Sequence, residues 1–218
     1  MTSTMQPNQN LANHPNIVVE DGRFVIAPSK ALEQCVHSVI FVRHGRTSYN
    51  AEHRFQGHTD IPLDSVGRWQ VQQTAQDLQN LYVKNSSRKQ VVVSSDLGRA
   101  QETAHAFADS LQLEVHLDER VKERNFGAWE GQTLAHLQQE YPEDFLSWMN
   151  HQGGELRYGA EPKTHVGERG MQAVQDWGSR FDNNTDLFVF SHGAWISQTI
   201  QTLLLMPNVD SDFVGLIS

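Results

Sequence analysis

At 218 residues and 38% hydrophobic, the chain is long enough to bury one sizeable core. A formal net charge of −9 excludes nucleic-acid or anionic-membrane binding driven by bulk charge. The single cysteine, Cys35, leaves neither an internal disulfide nor a cysteine cluster for zinc, which fits a reducing compartment.

Met1 to Asn16 is polar and rich in Asn, Gln and Pro, with no basic stretch leading into an apolar core, so residues 1–16 read as a flexible tail rather than a signal peptide. No apolar run approaches the roughly 20 residues of a spanning helix, and a cytoplasmic protein is expected. Residues 17–218 read as one domain. Ile17-Val18-Val19 and Phe24-Val25-Ile26 flank Asp21-Gly22, a hairpin signal. Val39 to Val42 is an apolar run of β-branched and aromatic residues within a strand expected at about 38–43, as in a strand covered on both faces. It ends in Arg43-His44-Gly45.

Arg54 to Leu63 is an irregular loop bent by Gly57 and Pro62. Asp64 or Ser65 caps a helix expected to run to about Tyr82. Val91-Val92-Val93 is a second buried strand ending in Ser94-Ser95-Asp96, and Arg99 falls in the first turn of the helix that follows, where a phosphate is favoured. Leu113 to Leu117 makes a third strand, and Thr133–Tyr141 and Pro142–Asn150 two short helices. The stretch 153–170 reads as a loop, and Met171 to Phe181 as a helix face. Leu187 to Phe190 is a further buried strand, delivering Ser191-His192-Gly193 before a helix over 194–206 that stops ahead of Pro207. Asp212 to Ser218 starts like another strand and stops, and whether the chain continues beyond Ser218 is left open. Strands alternating with helices imply a mainly parallel α/β sheet with right-handed crossovers.

Two apolar strands that each deliver a His-Gly at the C-terminal end converge on one pocket, because that edge is where ligands bind in open α/β sheets. Arg43, Arg46 and Arg54 cluster around His44 within an acidic chain. The combination reads as an anion site containing a nucleophile. Although the chain has 11 His, no His-Glu-x-x-His or comparable spacing occurs, and Arg43 beside His44 would repel a cation. No metal and no cofactor is therefore expected. The remaining histidines are read as surface or loop residues, with His58 close to the site, and Trp129, Trp148, Trp177 and Trp195 as packing.

With Arg43-His44-Gly45, Asn50, Arg54-Phe55-Gln56-Gly57, Arg99, Glu123 and Ser191-His192-Gly193 in this order, the chain resembles the histidine phosphatase superfamily, also called phosphoglycerate-mutase-like, over roughly residues 38–206. The resemblance implies a three-layer α/β sandwich with a mainly parallel central sheet. It implies His44 as the phosphorylated nucleophile, Arg43, Arg99 and His192 as the grip on the phosphoryl oxygens, and Asn50 and Gln56 as the neutral part of the pocket. Glu123 becomes the acid that protonates the leaving group. Thr47, Gly57, Arg46, Arg124 and Gly193 are carried as further phosphate- or substrate-binding candidates. Chemistry agrees: arginine offers bidentate donors to phosphoryl oxygens, and neutral imidazole is a good nucleophile near pH 7.

The resemblance extends to two outcomes, hydrolysis or transfer between hydroxyls of phosphoglycerate. Mutases carry an Arg pair after a Trp, whereas Trp148 is followed here by Met149-Asn150, which favours a phosphatase of small phosphorylated metabolites. Ser94-Ser95-Asp96-Leu97 and Phe126 to Gly131 are most similar to the broad-specificity branch, which includes glucosyl-3-phosphoglycerate phosphatases. A cofactor-dependent mutase is the alternative, and a non-catalytic sensor of phosphorylated ligands ranks behind both. The Gly-Glu that members often carry in the crossing loop stands here as Gly167-Glu168, followed by Arg169 in place of the usual Ser. No nucleic-acid or membrane partner is expected, and a homodimer is left open.

Overall fold

The structure, a computed structural model, describes residues 17–20, 23–26 and 36–204. The expected tail at 1–16, the Asp21-Gly22 turn, Cys35 and the strand-like start at 212–218 lie outside the described residues. Strands β1 (Ile17–Glu20) and β2 (Arg23–Ile26) pair antiparallel in a two-stranded sheet of their own.

The central sheet is built from β3 (Ser38–Arg43), β4 (Lys89–Ser94), β5 (Val115–Leu117) and β6 (Thr185–Ser191) in the order β3-β6-β4-β5, with every pairing parallel. All seven residues of β6 are buried, as expected for a strand covered on both faces. Its side chains alternate between two cores. Leu187 and Val189 pack with Val93, Val166, Val174, Trp195 and Ile196, whereas Phe188 and Phe190 pack with Val42, Val92, Leu78, Ala104 and Phe107. Burying each of those phenylalanines stabilises the fold by roughly 1.5–3 kcal/mol.

In chain order the helices are α1 (Ser48–Ala51), α2 (Ser65–Leu78), α3 (Gly98–Ala108), α4 (Leu134–Glu140), α5 (Pro142–Met149), α6 (Lys163–Gly178) and α7 (Gly193–Leu203). Residues of α2 and α3 supply one core and residues of α6 and α7 the other, so the sheet is the middle of three layers. Asp64 caps α2 by accepting from the Gly67 N–H at 2.7 Å, and α2 runs on through a π-helical turn, Gln79–Val83. Thr133 caps α4, and α4 and α5 cover an aromatic cluster of Phe55, Phe126, Trp129, Phe145 and Trp148.

One expectation is corrected. The stretch 153–170 is not one loop: after the 3₁₀ turn Gly154–Tyr158, helix α6 already begins at Lys163. Gly167 and Gly170 resemble loop punctuation but are close-packing positions. A Cβ on Gly167 would lie 2.0 Å from Thr202 Oγ1, and one on Gly170 would lie 2.0 Å from Thr199 Oγ1, so only glycine lets α6 lie against α7. Among the described residues no helix is long and apolar enough to cross a membrane.

Candidate active site

Parallel register sets the site. Arg43 pairs with Ser191 and Ser94 with Phe190, so His44, His192 and Ser95 all emerge at the C-terminal edge of the sheet. The His44 N–H donates to the Ser191 carbonyl at 3.0 Å, carrying the β3–β6 ladder one residue beyond the strands. The chain then passes close over α2: a Cβ on Gly45 would lie 2.6 Å from the Gly67 carbonyl oxygen. This close approach is the physical requirement behind the glycine after His44.

The His44 ring is buried, 7% exposed, and its Nδ1 donates to the Gly45 carbonyl at 2.7 Å. That bond leaves the Nε2 lone pair free, and Arg99 Nε donates to it at 3.3 Å. Burial first and then the Arg99 charge push the imidazole down to about 3, with the Gly45 hydrogen bond opposing and the Arg43 charge adding a smaller downward push. His44 is thus uncharged near neutral pH, as a nucleophile requires.

Arg99 is fully buried at the start of α3, and its guanidinium is fixed by two carbonyls, Thr59 at 2.9 Å and Gly57 at 2.8 Å. Gly57 has φ +53°, and a Cβ there would lie 1.9 Å from Glu130 Oε1. Glu130 in turn accepts from the His58 and Thr59 N–H groups, the Thr59 hydroxyl and the Phe126 N–H. Sequence reasoning passed over Glu130, which orders the loop that orders Arg99; the tight Phe126-to-Gly131 pattern around it was the available signal.

The His192 ring lies with its centroid 5.1 Å from that of His44 and is fully buried. Its Nε2 shares a hydrogen bond of 2.9 Å with the Ser95 hydroxyl, while Nδ1 is buried with no partner among the described residues. Burial, then the neighbouring His44 and Arg99 charges, hold this imidazole well below its ordinary value. Ser95 is a second residue missed at the sequence level, since its partner lies 97 positions away.

Glu123 approaches from the segment after β5. Its Oε1 accepts from the Arg124 N–H at 2.8 Å and the Trp195 N–H at 3.0 Å, and its Oε2 from the Ala194 N–H at 3.3 Å. Two of these donors belong to the first turn of α7, which Gly193 opens, so the carboxyl group sits against the positive end of that helix. Two tryptophans read as packing also anchor this segment: Trp195 Nε1 donates to the Arg120 carbonyl and Trp177 Nε1 to Asp118.

The other candidates divide. Thr47 and Asn50 form a capping box on α1, and the Thr47 hydroxyl also lies 2.8 Å from Gln56 Oε1, so these three form one neutral cluster. Asn50, Arg43 and Arg46 line a cavity of about 350 Å³ with His44 and the exposed Trp69. Arg46 is at its rim, bonded through Nε to Asp64 at 2.8 Å. Arg124 is a correction. Although adjacent to Glu123, it is turned into the core, where it donates to Glu155 at 2.6 Å and to the Glu161 carbonyl at 2.7 Å. Both members of the Arg124–Glu155 pair are buried, so its charge is already matched. Among the described residues no group of three or more His, Cys, Asp or Glu side chains converges as a metal site would need.

A buried neutral histidine facing an arginine, beside a second histidine and a carboxyl group on a parallel-sheet edge, defines a phosphoryl-handling class of site. The chain belongs to the histidine phosphatase superfamily, branch 1, whose family model matches residues 39–213. It is 31% identical over 179 residues to the glucosyl-3-phosphoglycerate phosphatase of Mycolicibacterium vanbaalenii, covering 79% of this chain and 76% of that protein. It is 32% identical over 169 residues to the probable phosphoglycerate mutase GpmB of Yersinia pestis, covering 78% and 75%. The solved structure of a mutant phosphoserine phosphatase from Entamoeba histolytica with phosphoserine superposes with a TM-score of 0.66 at 30% identity, covering 83% of this chain and 84% of that one.

Proposed function

We propose that the protein is a cytoplasmic phosphatase that hydrolyses small phosphomonoesters through a phosphohistidine on His44. The observation that carries this reading is the state of that ring: buried, uncharged, with Nδ1 committed to the Gly45 carbonyl and Nε2 left as the attacking atom. Nε2 attacks phosphorus as the P–O bond to the leaving group breaks, and Arg43 and Arg99 balance charge on the equatorial oxygens. The Ser95 hydroxyl accepts from the Leu97 N–H and has its own proton to give to His192 Nε2. His192 then carries its ring proton on the buried Nδ1, a donor for a phosphoryl oxygen. Glu123 gives a proton to the departing alkoxide and takes one from the water that later attacks the phosphohistidine, a role typically worth about 10²–10⁴-fold.

The names of the relatives make glucosyl-3-phosphoglycerate and phosphoserine the first substrates to try. The similarity to a probable phosphoglycerate mutase keeps phosphoryl transfer as the second reading. Against it stands Trp148-Met149-Asn150, which lacks the Arg pair of the mutases. Release of p-nitrophenol from p-nitrophenyl phosphate in the presence of EDTA is expected, and His44→Ala should abolish it. No release by the intact protein would sink the phosphatase reading. A stable phosphoprotein formed from 2,3-bisphosphoglycerate, with slow hydrolysis, would favour the mutase.

A further inference from the structure

Arg169 follows Gly167-Glu168 in the chain, and its side chain is fully engaged. Its Nε and Nη2 fork onto the Glu161 carboxylate at 2.8 and 3.0 Å. Its Nη1 donates to the Arg120 and Lys122 carbonyls, both at 2.7 Å, and Nη2 also donates to the Glu123 carbonyl at 2.9 Å. All five N–H donors of the guanidinium therefore have acceptors, three of them main-chain carbonyls of residues 120–123.

The backbone behind Arg169 is rigid. The residue lies on α6 between Gly167 and Gly170, the two positions at which that helix is pressed against α7. Helix α7 holds the carboxyl end of Glu123 through the Ala194 and Trp195 N–H groups. Two packed helices thus grip one residue at both ends, α7 at the carboxyl group and α6 at the carbonyl. A point charge on a flexible stem, as lysine would supply, cannot reach three carbonyls and a carboxylate at once.

We infer that Arg169, oriented by Glu161, is a positioning residue that sets where the Glu123 carboxyl group meets the leaving-group oxygen. The inference rests on the reading of Glu123 as the proton donor. Its consequence is specific to leaving groups that need a proton. Displacement of a catalytic group by about 1 Å costs on the order of 10²-fold, but only where the proton transfer matters to the rate.

The test compares kcat/KM for phenyl phosphate and p-nitrophenyl phosphate, which are alike in shape and differ in the basicity of the departing oxygen. In Arg169→Met the phenyl phosphate value should fall about tenfold or more relative to the p-nitrophenyl phosphate value. Arg169→Lys, which keeps the charge, serves if the methionine variant does not fold, and should shift the ratio in the same direction. Glu123→Gln is the control and should shift it further. Equal losses on both substrates, or no loss, with Glu123→Gln still selective would overturn the positioning role and make the clamp purely structural. A Glu123→Gln variant without selectivity would overturn the proton-donor reading, and the Arg169 inference with it.

Discussion

His44 and His192 start from the same local instruction, an apolar parallel strand running into His-Gly, and end as different instruments. His44 is anchored by its own neighbour, the Gly45 carbonyl, through Nδ1. His192 is anchored by the Ser95 hydroxyl at the end of another strand, through Nε2. What each ring keeps free differs accordingly. His44 offers Nε2 to Arg99, whereas His192 keeps a buried Nδ1 with no partner among the described residues. Strand register fixes where a side chain stands, but the partner outside the motif fixes which nitrogen is available and hence which role it can fill.

Removing the second ring should have the largest effect of those that leave the nucleophile in place. His192→Asn should cut kcat/KM for p-nitrophenyl phosphate by about 10²–10³-fold, the usual loss for one preorganised donor to a developing charge. Steady-state kinetics beside His44→Ala, which leaves no nucleophile, check this: the first variant keeps measurable turnover and the second keeps none.

A smaller effect separates folding from catalysis. Both histidines are uncharged in the folded protein, His44 down to about 3 and His192 well below its ordinary value. From about pH 6.5 downward the unfolded chain takes up protons on these rings that the folded chain refuses, so stability falls with acidity. The slope is up to about 1.4 kcal/mol per pH unit for each ring while the folded form stays neutral. Urea midpoints at pH 7 and pH 5 measure it, and His44→Asn should flatten the difference by one ring's share.

The smallest effect isolates the anchor of His192. Ser95→Ala removes the anchor of His192 but touches nothing on His44, and should lower activity by about tenfold or less, the worth of one buried hydrogen bond. The formation of phosphohistidine should survive in that variant. Loss as large as in His192→Asn would mean that Ser95 acts on the substrate itself.

The parts legible in the sequence were those written in short range. Apolar runs cut off by polar residues disclosed β3, β4 and β6, and the same signals placed His44, Arg99 and His192 on one edge. What stayed hidden depends on distant partners. Arg124 follows Glu123 in the chain but turns to Glu155, and nothing within a few residues says so. Gly167 and Gly170 look like loop signals because the Thr202 and Thr199 side chains that require them lie some 30 positions on. The Arg169 clamp, the Ser95 anchor and the Glu130 hub are long-range in the same sense, and each holds a residue that short-range reading had found.

On the proposed mechanism phosphorus bonds to His44 Nε2. The most direct measurement is rapid mixing with p-nitrophenyl phosphate, quenching in base, and mass spectrometry of the peptide bearing residues 43–46. One added phosphoryl group is expected on His44, stable to base, labile to acid and formed at least as fast as turnover. Turnover with no phosphate on His44, or with the phosphate on another residue, would contradict it.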